Sequence, residues 1–332
     1  MAGTMQSYWM LMTDTDTALE LRDVPVPEPG PGQLLVRMQA ASLNRGEFLL
    51  GHGLHGQPGS WKAIGGEGAG EVVAAGAQAT GFTPGERVMG RCGGAFADYA
   101  LMEAAEAMRL PPNLSFEQGA GIPMTFLVAF DMLVLQGRLQ AGEWLLINGV
   151  SSGVGVASLQ LGKALGARVI GTSGSPEKLA LLQPLGLDVA LHTRSNGFAP
   201  AVLEATQGQG ADVVVNTVGG TVFGENIRAA AFQARLATVG YVDGVVHADI
   251  DLEALHARRL TLFGVSNKLR SKAQRAAAVP RFTQEVLPHF AAGRIRPLID
   301  QVFDFAQLAQ AKAAMEAGAH TGKIVLRMNA PP

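Results

Sequence analysis

The 332-residue chain has a single cysteine, Cys92. It can close no disulfide within itself, and it has too few thiols for a cysteine-ligated structural zinc. That usage fits a reducing compartment. Charge is also scarce: 16% of residues are charged, and 26 Lys and Arg stand against 28 Asp and Glu for a net charge of -2. No Lys/Arg-rich run with interleaved aromatics occurs, so the basic excess that a nucleic-acid backbone demands is missing. Long apolar runs are absent too. The most hydrophobic stretch, Gly121 to Leu135, is interrupted by Pro123 and Asp131, well short of a membrane span. The apolar run Tyr8 to Met12 meets Thr13-Asp14-Thr15-Asp16 at once and lacks a basic flank, which excludes a secretory signal. The expectation is a cytoplasmic protein that binds neither nucleic acid nor membrane.

Apolar residues, by contrast, are plentiful at 48%, and the length exceeds what one core usually serves, so two compact units are expected. From Met1 to about Thr125 the chain is dense in Gly and Pro, with short alternating runs such as Gln33 to Met38 and Gly70 to Val73. This is the grammar of a small β-rich domain. In Phe82 to Val88 a turn pair feeds a strand, as in a barrel-like sheet or an ordinary surface hairpin. From about 126 to 265, strand-like runs at Trp144–Ile147, Arg168–Ile170, Asp212–Asn216, Arg235–Gly240 and Leu260–Gly264 alternate with helical periods at Val156–Leu165 and Pro176–Leu185. Such spacing predicts βαβ units and a doubly wound parallel sheet, hence an α/β fold. The remainder, 266–332, holds a helix-like stretch through Phe290, a proline-bearing loop and a last strand at Lys323–Leu326, and is expected to rejoin the first domain. There is no internal repeat at solenoid spacing.

One loop carries chemistry. After the strand ending at Ile147 comes Asn148-Gly149-Val150-Ser151-Ser152-Gly153-Val154-Gly155, followed by a helical pattern. Small residues between strand and helix let backbone N–H groups approach a pyrophosphate at a helix N-terminus. The spacing is the looser Gly149-x-x-Ser152-x-x-Gly155 rather than G-x-G-x-x-G; only its position separates it from a tight structural turn. The next strand ends in Thr172-Ser173-Gly174-Ser175, where an NAD enzyme usually places an acid for the ribose 2′-hydroxyl. Hydroxyls followed by Lys178 suit a 2′-phosphate, so NADP(H) is favoured over NAD; Lys178 alone also reads as a solvated helix-face lysine.

Taken together, Ala41-Ser42-Leu43-Asn44-Arg45-Gly46-Glu47, Glu67, the Ser152-to-Gly155 turn, Thr172 to Ser175 with Lys178, Asn216, Phe282 to Phe290 and Thr321-Gly322-Lys323-Ile324-Val325-Leu326 resemble the quinone oxidoreductase branch of the medium-chain dehydrogenase/reductase superfamily, near the p53-inducible subgroup. The resemblance spans nearly the whole chain. It implies a GroES-like catalytic domain (1–125 and 266–332) interrupted by a Rossmann NADP-binding domain (126–265), with the active site in the cleft between them. It also implies that Asn44 and Thr125 lie near the nicotinamide, while Asn216, Gly240, Tyr241, Phe263 and Val265 line the groove beside Ser152, Gly153, Val154, Gly155, Ser173 and Lys178. On pattern alone Asn216 is equally a turn-capping residue, and Phe263 and Val265 are core residues. Family members are often dimers joined through the sheet edge of the nucleotide domain, for which the apolar stretch Val239 to Ile250 is a candidate.

Zinc-dependent members of that superfamily carry Cys where Asn44 stands and His where Gly66 stands, and have a cysteine-rich lobe near Cys92. With these gone, a metal-free hydride transfer to a quinone or an α,β-unsaturated carbonyl is expected, with the Asn44 amide a candidate stabiliser of developing negative charge. Quinone-reducing relatives often have tyrosines at Leu49 and His55. Here His52 or His55 is either a proton donor or an exposed loop histidine. Two alternatives stay open: an enoyl-thioester or haloacrylate-type reductase, for which Arg45, Arg91 and Arg270 are candidate basic groups, and an NADPH-binding structural or sensor protein without turnover.

Overall fold

The computed structural model describes residues 3–12, 17–48, 59–193 and 196–329. The chain separates into two compact units, Met1–Met124 with Lys268–Pro332, and Thr125–Asn267.

The first unit begins with β1 (Thr4–Met12), β2 (Thr17–Pro25), β3 (Gln33–Ser42), β4 (Trp61–Ala63), β5 (Glu67–Ala75), β6 (Arg87–Gly93) and β7 (Tyr99–Arg109). β1 is the middle of a three-stranded sheet, β2-β1-β4. β3, β5, β6 and β7 pair in sequence, and β7 returns to pair with β3 from Gln33↔Glu103 to Arg37↔Tyr99, closing a barrel. Closure removes the exposed edges of these strands. The inner residues Leu34, Val36, Met38, Val72, Val88, Phe96 and Met102 form one buried cluster. Two short helices follow, α1 (Phe116–Ala120), capped reciprocally by Ser115 and Gln118, and α2 (Pro123–Phe130).

The second unit is a six-stranded parallel sheet of β8 (Trp144–Asn148), β9 (Arg168–Ser173), β10 (Val189–His192), β11 (Ala211–Asn216), β12 (Ala230–Thr238) and β13 (Thr261–Gly264). The strand order is β10-β9-β8-β11-β12-β13, so the winding reverses between β8 and β11. That reversal is the position where doubly wound sheets bind ligands. The connecting helices are α3 (Gly153–Ala164), α4 (Pro176–Leu182), α5 (Ala199–Ala205), α6 (Phe223–Ala229) and α7 (Leu252–Ala257). Leu146, Ile170, Val214 and Leu236 pack one sheet face against Val202 and Ile227 of α5 and α6. β11 reads Ala-Asp-Val-Val-Val-Asn and is buried at all but one position, as a strand covered on both faces requires. The GroES-like and doubly wound architecture is therefore present.

The C-terminal region differs in detail from its expected form. The helix-like stretch through Phe290 is three helices, α8 (Lys272–Ala276), α9 (Val279–Glu285) and α10 (Leu287–Ala291). Pro280 and Pro288 sit in the first turns of α9 and α10, where a missing N–H costs nothing but a continuous helix is impossible. Between Arg296 and Thr321 lie a strand, β14 (Ile299–Asp304), and a ten-residue helix, α11 (Leu308–Ala317), before β15 (Lys323–Arg327). β15 joins β14 in parallel and β3 in antiparallel fashion, with Val325 opposite Ser42. The stretch Val239 to Ile250 is not a sheet edge. It is an exposed loop after β12, and the edge strands are β10 and β13. Among the described residues no helix is long and apolar enough to cross a membrane.

Phe96 is fully buried in the barrel core, stacked on Phe48 with ring centroids 6.4 Å apart. Phe96→Ala should cost about 3–5 kcal/mol, read as a lower urea midpoint for this unit. An unchanged midpoint would show that the barrel collapses around the hole.

Candidate functional site

In the second unit the site forms where the sheet reverses. Gly149 follows β8 with φ +70°, a left-handed conformation that glycine accepts without strain. The chain then turns through Ser152 into α3. The Ser152 hydroxyl accepts from the Gly155 N–H (3.1 Å) and donates to the Gly149 carbonyl (2.8 Å). It is therefore spent as a helix cap. A side chain on Gly155 would run into the Gly149 carbonyl and Val150 backbone, so glycine here sets how closely helix and strand approach. Gly153 and Val154 occupy the first positions of α3, where backbone N–H groups have no partner inside the helix.

The ends of β8 and β11 stand side by side, Asn148 opposite Asn216. Asn216 spends its side chain locally: its oxygen accepts from the N–H groups of Val218 and Gly219, and its amide donates to the Gly219 carbonyl. Thr217 donates to the Asn148 carbonyl at 2.8 Å. The Asn148 side chain, which carried no signal in the sequence beyond its place in the loop, is fully buried, and both its polar atoms lack a partner among the described residues. Ser173, at the end of β9, accepts from the Ser175 N–H and lies 3.4 Å from the Ser151 hydroxyl. Ser175 caps α4 through the Lys178 N–H and donates to Glu177 at 2.7 Å. That bond is the main reason the Glu177 carboxyl titrates below its ordinary value. Lys178 is half-buried in the first turn of α4. Thr125 and Val265 are buried, Gly240 and Phe263 are half-buried, and Tyr241 is exposed.

In the first unit a polar cluster surrounds Asn44, just after β3. Its amide nitrogen lies 3.0 Å from Glu67 Oε1, 3.2 Å from Glu47 Oε1 and 3.4 Å from Met124 Sδ. Its oxygen accepts from Lys323 Nζ at 2.8 Å. Lys323, the first residue of β15, also donates to the Leu43 carbonyl (2.9 Å) and to Glu67 Oε1 (3.0 Å). Glu67 is completely buried. It accepts further from the Ser42 hydroxyl (2.6 Å) and the Met124 N–H (2.7 Å). Both Asn44 amide protons thus point at carboxylates, and none is left for a substrate oxygen in this arrangement.

Glu47 and Lys323 carried no role in the sequence, although both lie in motifs that drew attention. The partners of Lys323 are more than 250 residues away, which no local pattern reports, and Glu47, though only three residues from its partner Asn44, gives no sign in the sequence of its burial. Glu47 Oε2 is buried without a partner among the described residues. Burial pushes its carboxyl up to about 7, against the pull of Lys323 and Asn44. Gly66 makes room for it, since a Cβ there would lie 2.5 Å from Glu47 Oε1. His52 and His55 lie outside the described residues.

The chain matches two family models, "Alcohol dehydrogenase GroES-like domain" over residues 30–112 and "Zinc-binding dehydrogenase" over residues 153–282. It is 32% identical over 310 residues to a quinone oxidoreductase of Pseudomonas aeruginosa, covering 93% of this chain and 95% of that one. It is 33% identical over 310 residues to a phenolphthiocerol/phthiocerol polyketide synthase of Mycobacterium tuberculosis, but spans only 14% of that protein's length. A mycobacterial protein solved in complex with NADPH superposes with a TM-score of 0.87 at 27% identity, covering 97% of this chain and 99% of that one.

The zinc in the second model's description does not fit the residues present. Glu67 is saturated by Ser42, Asn44, Lys323 and Met124, and the Lys323 ammonium already supplies a cation beside it. Burial, with Glu67 and Glu47 adding to it, pushes the Cys92 thiol up to about 12, so it offers no thiolate at neutral pH.

Glu47 makes stability depend on pH with a definite sign. Its folded carboxyl titrates at about 7, above its ordinary value of 4.5, so between these values the folded state holds more protons than the unfolded one. Stability therefore falls as pH rises through that window, by at most about 3 kcal/mol. Urea midpoints at pH 5 and pH 8 should fall more in the wild type than in Glu47→Gln; parallel behaviour would mean that Glu47 is ionised throughout.

Proposed function

The chain belongs to the medium-chain dehydrogenase/reductase superfamily as a quinone oxidoreductase-like oxidoreductase, and from that premise we propose that it transfers a hydride from NADPH, without a catalytic metal, to a quinone or an α,β-unsaturated carbonyl. The observation that carries this reading is the Lys323–Glu67–Asn44 cluster. Lys323 and Glu67 neutralise each other, so the cluster supplies fixed structure rather than a Lewis acid. An acceptor reduced here has to be activated by its own conjugation, because the cluster offers an isolated carbonyl neither a metal nor a spare Asn44 donor to polarise it.

The nicotinamide cofactor supplies the hydride when bound. The N–H groups of Gly153 and Val154 meet its pyrophosphate, in the close approach that Gly155 permits. Ser173 and Lys178, with no carboxylate at the end of β9, favour a 2′-phosphate over a free hydroxyl. For an enone, the hydride bonds to the β-carbon and the π pair moves onto the carbonyl oxygen. A proton from solvent or from His52 or His55 then completes the saturated ketone, leaving NADP+. Asn44 orients Lys323 and Glu67 and is a positioning residue. The polyketide synthase relatives favour an enoyl thioester as another acceptor of the same chemistry. β13, one of the two edge strands, with Leu262 36% exposed, is the proposed seam of a homodimer.

NADPH oxidation against a quinone, an enone, an enoyl thioester and a saturated aldehyde tests the reading. Turnover is expected with conjugated acceptors, unaffected by chelators, and not with the aldehyde; tight NADPH binding without any turnover would point to a sensor. Lys178→Met should shift the preference for NADPH over NADH by about tenfold, and an unchanged preference would remove Lys178 from the site. Sedimentation should give a dimer that Leu262→Lys weakens, while a wild-type monomer would exclude the β13 seam.

A further inference from the structure

Two guanidiniums converge on one buried carboxylate in the first unit, with a third close by. Glu106, on β7, is 3% exposed. Arg275 of α8 grips it through Nε (3.2 and 3.3 Å) and Nη2 (3.1 Å) and uses Nη1 to donate to the Arg270 carbonyl at 2.8 Å. Arg275 is fully committed. Arg91, on β6, touches the same carboxylate only through Nε at 3.5 Å. Its two terminal nitrogens have no protein partner among the described residues. The Arg91 side chain is 23% exposed, so part of it reaches solvent. Burial and the neighbouring Arg275 and Arg270 work against its charge, and Glu106 and Glu67 support it. Arg91 thus shares its nearest carboxylate with a guanidinium that already holds that carboxylate through three contacts, and a charge in a half-buried place is stabilised when an anion meets it. Of the three arginines that the sequence offered as basic groups, Arg45 lies elsewhere, against the Glu316 carbonyl at the end of α11.

The position of Arg91 selects the anion. It stands directly opposite Glu67 in the β5–β6 register, and directly opposed residues project from the same face about 5 Å apart. An anion on Arg91 is thus within one small molecule's length of the Asn44–Glu67–Lys323 cluster. That span is too short for a phosphate at the far end of a pantetheine arm, but it suits a carboxylate attached to the conjugated system itself. A guanidinium with both Nη groups available binds a carboxylate through two parallel hydrogen bonds.

We propose that Arg91, held by Glu106 beside Arg275, is a specificity-determining residue that binds the carboxylate of an acceptor that is itself an α,β-unsaturated oxo-acid, an enone carrying an ionised carboxylate. The proposal rests on the hydride-transfer reading above and adds the substrate class. No new chemistry is needed: the hydride goes to the carbon β to the ketone, the π pair moves onto the ketone oxygen, a proton then reaches the α-carbon, and the carboxylate stays ionised and unreacted.

A matched pair of acceptors tests it, trans-4-oxo-2-pentenoate and its methyl ester, which share the enone and differ in charge. In the wild type the acid should exceed the ester in kcat/KM by about tenfold or more, the scale of a charge-assisted bidentate contact. Arg91→Met should bring the ratio to about one or below, and Arg91→Lys should give an intermediate ratio. Glu106 keeps Arg275 in both variants; should the Met variant not fold, the Lys variant carries the comparison. Levulinate, the saturated product, titrated calorimetrically into NADP+-loaded protein, should bind about tenfold more weakly to the variants. An ester preferred by the wild type, or a ratio unmoved by either substitution, overturns the proposal. So does an Arg91 dependence found for an enoyl-coenzyme A thioester and not for the acid. Arg91-dependent levulinate binding without turnover of any acceptor would leave the carboxylate site standing and sink the hydride-transfer reading instead.

Discussion

The buried ion pair between Lys323 and Glu67 ties the first unit together. Its ammonium reaches the Leu43 carbonyl and Asn44 from β15, and its carboxylate gathers Ser42 from β3 and the Met124 N–H at the start of α2. Two charges with almost no exposure are stable in this place only because every oxygen and nitrogen has a directed partner. Removing one charge would leave the other uncompensated, at a cost of roughly 3–5 kcal/mol. The C-terminal strand is thereby a component of the site, brought more than 250 residues along the chain to Glu67.

The same pair orders a region whose residues, Asn44 and Gly66 among them, do not make up a metal site. Loss of histidine at position 66 leaves space, and the longer carboxylate arm of Glu47 fills it. Loss of cysteine at position 44 puts a neutral amide where a thiolate would sit, and that amide is satisfied by two carboxylates and an ammonium. The charges are redistributed among protein groups, so that the region stays polar and ordered. A buried acid with one unpartnered oxygen is the residual cost, visible as the raised titration of Glu47.

The second unit is governed by backbone approach rather than charge. Gly149 and Gly155 let strand and helix meet closely enough to present free N–H groups where the sheet order reverses, and Ser152 and Asn216 hold the flanking turns with their own side chains. Side chains that resembled ligands in the sequence thus turn out to shape the turns around this reversal, while Asn148, buried with both polar atoms unpartnered among the described residues, sits beside them.

Much of this was legible in the sequence because it is local. Alternation in β3, the apolar run of β11, the glycine-serine turn before α3 and the hydroxyls ending β9 follow from the period of a strand, the conformational range of glycine and the needs of a helix N-terminus. The single cysteine and the residues at 44 and 66 carried the expectation of a site without zinc. The C-terminal architecture was less legible: prolines divided one helical period into three helices, and β14 with α11 passed for a loop because α11 is half alanine, with Leu308 and Met315 its only large apolar residues. Only the tertiary structure could decide that Lys323 and Glu67 meet, that Glu47 is buried, and that Arg91 shares Glu106 with Arg275 while Arg45 stands apart. These are pairings between distant strands and helices, and an ion pair leaves no periodicity in the chain to announce its partner.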